Sequence, residues 1–250
     1  MRRARAALRL ARAVGHGLRG LAVVLFVFPR LDERGRHARI RGWSLGMLRA
    51  MGIALQAEGE PAAGGSLLAA NHVSWLDIMA IHAVEPAARF VSKADVKAWP
   101  LVSRLVDAAG TLYLERDRKR DALRVVHAMA AALQQAQTVA IFPEGTTSTG
   151  HDLLPFHANL LQAAISTGTP VQPVAIRYSD ATHAVSLAAE FVGATSLLQS
   201  LWRTARGEGL VVRMVFLPPV PARGAERRAL AERLRSDIAA ALERPQPARP

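Results

Sequence analysis

Residues 67–77 read Leu67-Leu68-Ala69-Ala70-Asn71-His72-Val73-Ser74-Trp75-Leu76-Asp77. Four apolar residues without alternation describe a strand buried on both faces, the pattern of a parallel sheet clad in helices. The polar break at Asn71 and His72 marks the carboxyl end of that strand, and Ser74 stands where a helix N-cap is expected. Sheets of this kind bind ligands just beyond the carboxyl ends of their strands. His72 and Asp77 fall there, in sequence otherwise too apolar to hold two titratable groups unless they are paired or used. On one continuous helix, five residues apart, they would point to different faces. With a turn between them the carboxylate can reach back to the imidazole. Ser74-x-x-Asp77 also matches a capping box, in which the acid serves only the helix end.

Outward from this stretch, short apolar runs alternate with longer helical ones. Residues 53–57, 90–92, 111–114, 139–142, 171–177 and 210–216 read as further strands. Residues 74–84, 101–109, 118–135, 160–167 and 226–242 read as helices. This predicts an α/β domain with a mostly parallel central sheet covered by helices on both faces. Residues 195–206, with Leu197, Leu198, Leu201 and Trp202, suit either a membrane or acyl-chain surface or a helix packed on the core. The domain is expected to span residues 51–244, with 1–50 as a separate two-helix element and 245–250 as a proline-rich tail.

The chain has 250 residues, half of them hydrophobic, enough for one large domain and against wholesale disorder. There is no cysteine, which removes disulfides, thiolate zinc sites and cysteine nucleophiles. The net charge of +12 is concentrated at the start: residues 1–49 hold twelve arginines against Asp32 and Glu33, a net of +10. Such a block wants a polyanion. The apolar run at residues 21–28, closed by Pro29, is too short to span a bilayer, which takes roughly 20 residues. No small-residue cleavage site follows it, so a signal peptide is not expected. Two helices, 5–28 and 32–50, seated at an anionic membrane surface fit the pattern, and packing on the domain is the alternative. Nucleic acid is not expected as a partner, because interleaved aromatics and DNA-binding motifs are missing. Gly15-His16-Gly17-Leu18-Arg19-Gly20 matches the dinucleotide pattern by letter, but no strand precedes it.

Three more segments carry candidate chemistry. Gly110-Thr111-Leu112-Tyr113-Leu114-Glu115-Arg116 puts an arginine just past a strand, where it can grip a phosphate. Phe142-Pro143-Glu144-Gly145-Thr146-Thr147 leaves a buried strand for a loop whose N–H groups can hold an anion, with Glu144 binding a hydroxyl or orienting the loop. Pro170-Val171-Gln172-Pro173 starts a strand with two prolines. His82, His127, His151, His157 and His183 fall at no metal-ligand spacing, so no metal is expected. His157, shortly after the glutamate loop, is a candidate for lining a cleft.

In this order the four segments resemble the glycerolipid acyltransferase family, whose bacterial members include 1-acylglycerol-3-phosphate acyltransferases. The matching blocks are N-H-x-x-x-x-D (Asn71, His72, Asp77), G-x-x-F-x-x-R with tyrosine for phenylalanine (Gly110, Tyr113, Arg116), F-P-E-G-T (Phe142 to Thr146) and the proline at Pro173. The likeness covers about residues 65–180, and Lys93 matches a recurrent lysine between the first two blocks. It implies a membrane-associated enzyme on the cytoplasmic face of the inner membrane. Such an enzyme moves a fatty acyl group from acyl-CoA or acyl carrier protein to a lysolipid hydroxyl, without a cofactor. His72 would be the general base and Asp77 its orienting acid, with Lys93, Arg116, Glu144, Gly145 and Thr146 binding substrate. The first two helices resemble the family's membrane-docking element. A second departure bears on the substrate: many lysophosphatidate-using members carry arginine after F-P-E-G-T, and here it is Thr147. That opens the acceptor to a lysolipid without phosphate, such as lyso-ornithine lipid.

Overall fold

The computed structural model describes residues 2–93, 100–114 and 119–244. Its strands are β1 (Ile53–Glu58), β2 (Leu67–Ala70), β3 (Arg89–Lys93), β4 (Leu112–Leu114), β5 (Val139–Ile141), β6 (Val171–Ser179) and β7 (Leu210–Phe216). They form one sheet in the order β1-β7-β6-β2-β5-β3-β4. The five strands from β6 to β4 are mutually parallel, β7 runs antiparallel to β6, and β1 lies parallel to β7 at the edge.

Among the described residues eight α-helices cover this sheet: α1 (Arg2–Phe26), α2 (Glu33–Ala50), α3 (Leu76–Val84), α4 (Pro100–Ala108), α5 (Lys119–Gln134), α6 (Gln162–Thr167), α7 (Leu197–Arg206) and α8 (Arg227–Glu243). The alternation of β2 sorts the core into two layers. Leu68 and Ala70 face a cluster with Met47, Leu48 and Met51 around α2, Leu76 and Ile81 of α3, and Ala205 of α7. Leu67 and Ala69 face Met129 and Leu133 of α5, Ala163 and Ala164 of α6, and Leu234 and Ile238 of α8. A strand clad on both sides needs apolar residues at every position, which is why β2 reads as an unbroken run.

Residues 2–50 belong to this same body. Ala6 and Ala13 of α1 are buried in the α2–α3 layer. The two leading helices interlock through their rings. Trp43 Nε1–H donates to the His16 carbonyl at 3.1 Å, His16 Nε2 lies 2.8 Å from the Trp43 carbonyl, and the rings stack at 5.7 Å. Gly20 lies under the Trp43 indole and Gly46 under the His16 imidazole, with no room for a Cβ at either. Of the glycines in residues 15–20, Gly20 thus serves a helix crossing.

The side of α1 turned away from the core is apolar: Leu8, Val14, Leu18, Leu25 and Phe26 are exposed, Phe26 by 67%. Arg12 and Arg19, seven residues apart, are exposed along the same helix. Among the described residues no helix is long and apolar enough to cross a membrane.

Candidate functional site

The site forms where β2 and β5 end. Asn71 extends the β2–β6 pairing past the last strand residue: its Nδ2 donates to the Ile176 carbonyl at 2.9 Å and its Oδ1 accepts from Ile176 N–H at 2.7 Å. That bridge pins the chain just before His72. The turn then brings Asp77 back, with Oδ2 2.8 Å from His72 Nδ1. The same oxygen accepts the N–H groups of Val73 at 2.8 Å and Ser74 at 3.0 Å, and Oδ1 accepts the Tyr178 hydroxyl at 2.8 Å. Asp77 is fully buried, and these donors replace the water it has lost.

The capping-box reading is half met. Asp77 takes the Ser74 N–H, but α3 starts after Trp75 with no side-chain cap, and the Ser74 hydroxyl has no partner among the described residues. The acid is drawn instead to the imidazole, which its other donors leave room for.

The His72 side chain keeps 18% exposure. Its Nδ1 faces the acid, and Nε2 has no protein partner among the described residues. The imidazole lies flat on Phe142, with centroids 3.8 Å apart and planes 9° apart. Phe142 in turn stacks on Phe90 at 5.7 Å, and Phe90 meets the buried His82 edge-on at 4.9 Å. Burial holds His82 down at about 4, and its Nε2 lies 3.0 Å from the Ala88 carbonyl.

Glu144 turns inward. Its two carboxylate oxygens accept the N–H of His72 at 2.7 Å and of Leu154 at 3.0 Å, and it is 2% exposed. Burial raises its carboxyl above the usual range, and those two N–H donors pull it back. The carboxylate thus ties the loop after β5 to the turn after β2 and to residue 154. Gly145 closes the turn at φ +69°, with its N–H donating to the Phe142 carbonyl at 3.0 Å. Ser148 N–H caps the His72 carbonyl at 2.7 Å. Thr147 Oγ1 donates to the Phe191 carbonyl, and Phe191 N–H donates to the Val73 carbonyl at 3.1 Å. The segment before α7 is therefore strapped to both site loops.

Of the residues singled out from sequence, His72, Asp77, Glu144, Gly145 and Thr146 come together, with Thr146 exposed. Lys93 ends β3, next to β5 in the sheet. Arg116 lies outside the described residues. His157 stands against the turn: its Cδ2 is 3.2 Å from where a Cβ on Gly145 would be. Sequence reasoning missed Tyr178, 101 residues from the acid it serves. Its only signal was a hydroxyl between Arg177 and Ser179 at the polar end of β6.

A family model described as Acyltransferase matches residues 54–177, a span that contains His72, Asp77, Glu144, Gly145 and Thr146. The chain is 36% identical over 248 residues, 97% of its length and 95% of the relative's, to the lyso-ornithine lipid O-acyltransferase of Pseudomonas aeruginosa. It is 38% identical over 201 residues, 79% of its length and 78% of the relative's, to the 1-acyl-sn-glycerol-3-phosphate acyltransferase of Neisseria meningitidis. Its fold matches the solved 1-acyl-sn-glycerophosphate acyltransferase of Thermotoga maritima with a TM-score of 0.75 at 21% identity, over 97% of both chains. With a His–Asp pair at the carboxyl edge of its sheet and likeness along nearly its whole length, the chain belongs to the acyltransferase family.

Proposed function

We propose that this protein transfers a fatty acyl group from a thioester, acyl-CoA or acyl carrier protein, to the free hydroxyl of a lysolipid. The observation that carries the reading is the His72–Asp77 contact, with Nε2 left without a protein partner among the described residues and the His72 side chain partly exposed. Asp77 holds Nδ1 protonated, so Nε2 presents its lone pair. The acceptor hydroxyl gives its proton to Nε2 as its oxygen attacks the thioester carbonyl. The tetrahedral intermediate then expels the thiolate, which recovers the proton from the imidazolium. The acceptor oxygen does what a serine does in a hydrolase triad, so no acyl-enzyme is required. Phe142, flat against the ring, fixes its plane. Glu144 holds the two loops in register, and Lys93 and Arg116 are the cations assigned to an acidic head group. Gly145 N–H is engaged by Phe142. Charge on the tetrahedral oxygen therefore falls to another donor, and we assign Thr146, the exposed residue of the turn.

1-Acyl-sn-glycerol-3-phosphate is the leading acceptor, giving phosphatidic acid. A second reading, lyso-ornithine lipid, is favoured by Thr147: its hydroxyl is committed to the Phe191 carbonyl, where many phosphate-using members carry arginine. The relative matched along nearly the whole chain is named for that acceptor. The outward apolar side of α1, flanked by Arg12 and Arg19, supports seating on an anionic membrane, which we place at the cytoplasmic face. Purified protein given one radiolabelled acyl thioester and a panel of lysolipids tests the acceptor. His72→Ala is expected to cut transfer by about 10²–10⁴-fold, with circular dichroism and vesicle binding retained. Near-normal turnover would end the mechanism.

A further inference from the structure

The acyl-transfer chemistry leaves one exposed surface unexplained. The buried side of α7 is small, Ser200 and Thr204. Its opposite side puts Leu198 and Trp202 in solvent, Leu198 by 72%. One exposed leucine means little, but residues four apart on a helix are neighbours and make a patch. The adjacent helix repeats the pattern, since α1 also turns apolar residues outward. The two are fastened together: Arg9 Nη1 donates to the Ala205 carbonyl at 3.0 Å and the Gly207 carbonyl at 2.6 Å, and Arg5 pairs with Glu208. Exposed arginines border both faces, Arg206 on α7 and Arg12 and Arg19 on α1. α7 is also fixed to the catalytic turn. Trp75 Nε1–H donates to Ser200 Oγ at 3.2 Å, and Thr204 Oγ1 donates to the Ala188 carbonyl at 2.9 Å in the strap that reaches Val73.

We propose that the outer face of α7 is a second contact with an anionic bilayer, with Leu198 and Trp202 in the acyl boundary and Arg206 at the head groups. It touches the membrane and not the substrate, and it sets the catalytic turn at a fixed height above the lipid. The occupant is a bilayer because the apolar strip has a cationic rim, which complements acidic head groups and repels the same rim on a second copy. An indole with one wet edge is the side chain suited to that boundary. The proposal rests on the lysolipid reading above.

The test uses the full chain and phosphatidylglycerol–phosphatidylcholine vesicles with brominated acyl chains. Tryptophan emission of the unaltered protein is expected to be quenched, and Trp202→Phe is expected to lose most of that quenching although three other tryptophans remain. The pair Leu198→Gln with Trp202→Gln should weaken vesicle partition by about tenfold or more. Transfer to vesicle-borne lysolipid should fall in step, while transfer to a short-chain acceptor dissolved as monomers is kept, which separates lost docking from lost folding. Equal quenching with and without Trp202, or unchanged partition of the pair, overturns the proposal. So does a dimer in sedimentation that disappears in the pair, because a second copy would then own the patch. If the protein acylates no lysolipid yet the quenching pattern holds, the lysolipid reading fails and the bilayer contact stands.

Discussion

At the scale of the residue, Asp77 is the most constrained group of the site. A fully buried carboxylate survives because four donors surround it, and three of them come from its own turn. The fourth, the Tyr178 hydroxyl, comes from the sheet; burial, and next the Asp77 charge, push that phenol well above its usual value, so it stays a donor. Tyr178→Phe leaves Oδ1 buried and unpaired, an expected loss of about 1–3 kcal/mol of stability. Because the acid then swings more freely, kcat should fall more than KM rises, which thermal melting and steady-state kinetics would measure. His82 supplies a pH signature. Its ordinary value of 6.5 falls to about 4 in the folded chain, chiefly through burial. Between those values the unfolded chain binds the proton and the folded chain does not, so stability is present above pH 6.5 and lost towards pH 4. The shift corresponds to about 3 kcal/mol. Urea unfolding across that window should show the decline, and His82→Gln should flatten it.

At the scale of the element, the α1–α2 pair behaves as one unit because each helix offers a glycine to the other's ring. Gly20→Ala would drive a methyl into the Trp43 indole. We expect a loss of about 1–3 kcal/mol, the usual cost of overpacking, read by denaturant unfolding, although alanine is the better helix former. Helix propensity alone counts Gly20 as a cost along the chain, because it takes no account of the close approach of a neighbour. Other elements were legible for plain reasons. β2 and β5 are unbroken apolar runs, and α5 keeps a 3.6-residue apolar period. The start of α3 was not legible, since Ser74 is as good a cap on paper as Ser196. Ser196 does accept the Gln199 N–H at 3.3 Å and completes a capping box, whereas Ser74 is displaced by the demand of His72 on Asp77.

At the scale of the whole molecule, the first 50 residues serve both the core and the outer surface. Deleting them would remove Met47 and Leu48 and uncover Met51, Leu76 and Ile81 of the same layer, at roughly 1.5–3 kcal/mol per large side chain, so a truncation cannot isolate docking. Charge reversal on the exposed side can. Arg12→Glu with Arg19→Glu is expected to weaken binding to anionic vesicles on the order of thirtyfold or more, at about 1 kcal/mol for each lost cation. Neutral vesicles should show little change, and added salt should weaken the unaltered protein in the same direction. The amino-acid sequence by itself determined the layered α/β class, the cationic start and the identity of the pair His72 and Asp77, because periodicity, charge and motif spacing are local properties of a chain. Only the tertiary structure decided that Glu144 reaches inward to the His72 N–H, that Thr147 holds Phe191 and that Tyr178 completes the acid's shell. Each of those contacts joins segments far apart in the chain, and where a buried polar group finds its partner is settled by how the sheet and loops close around it.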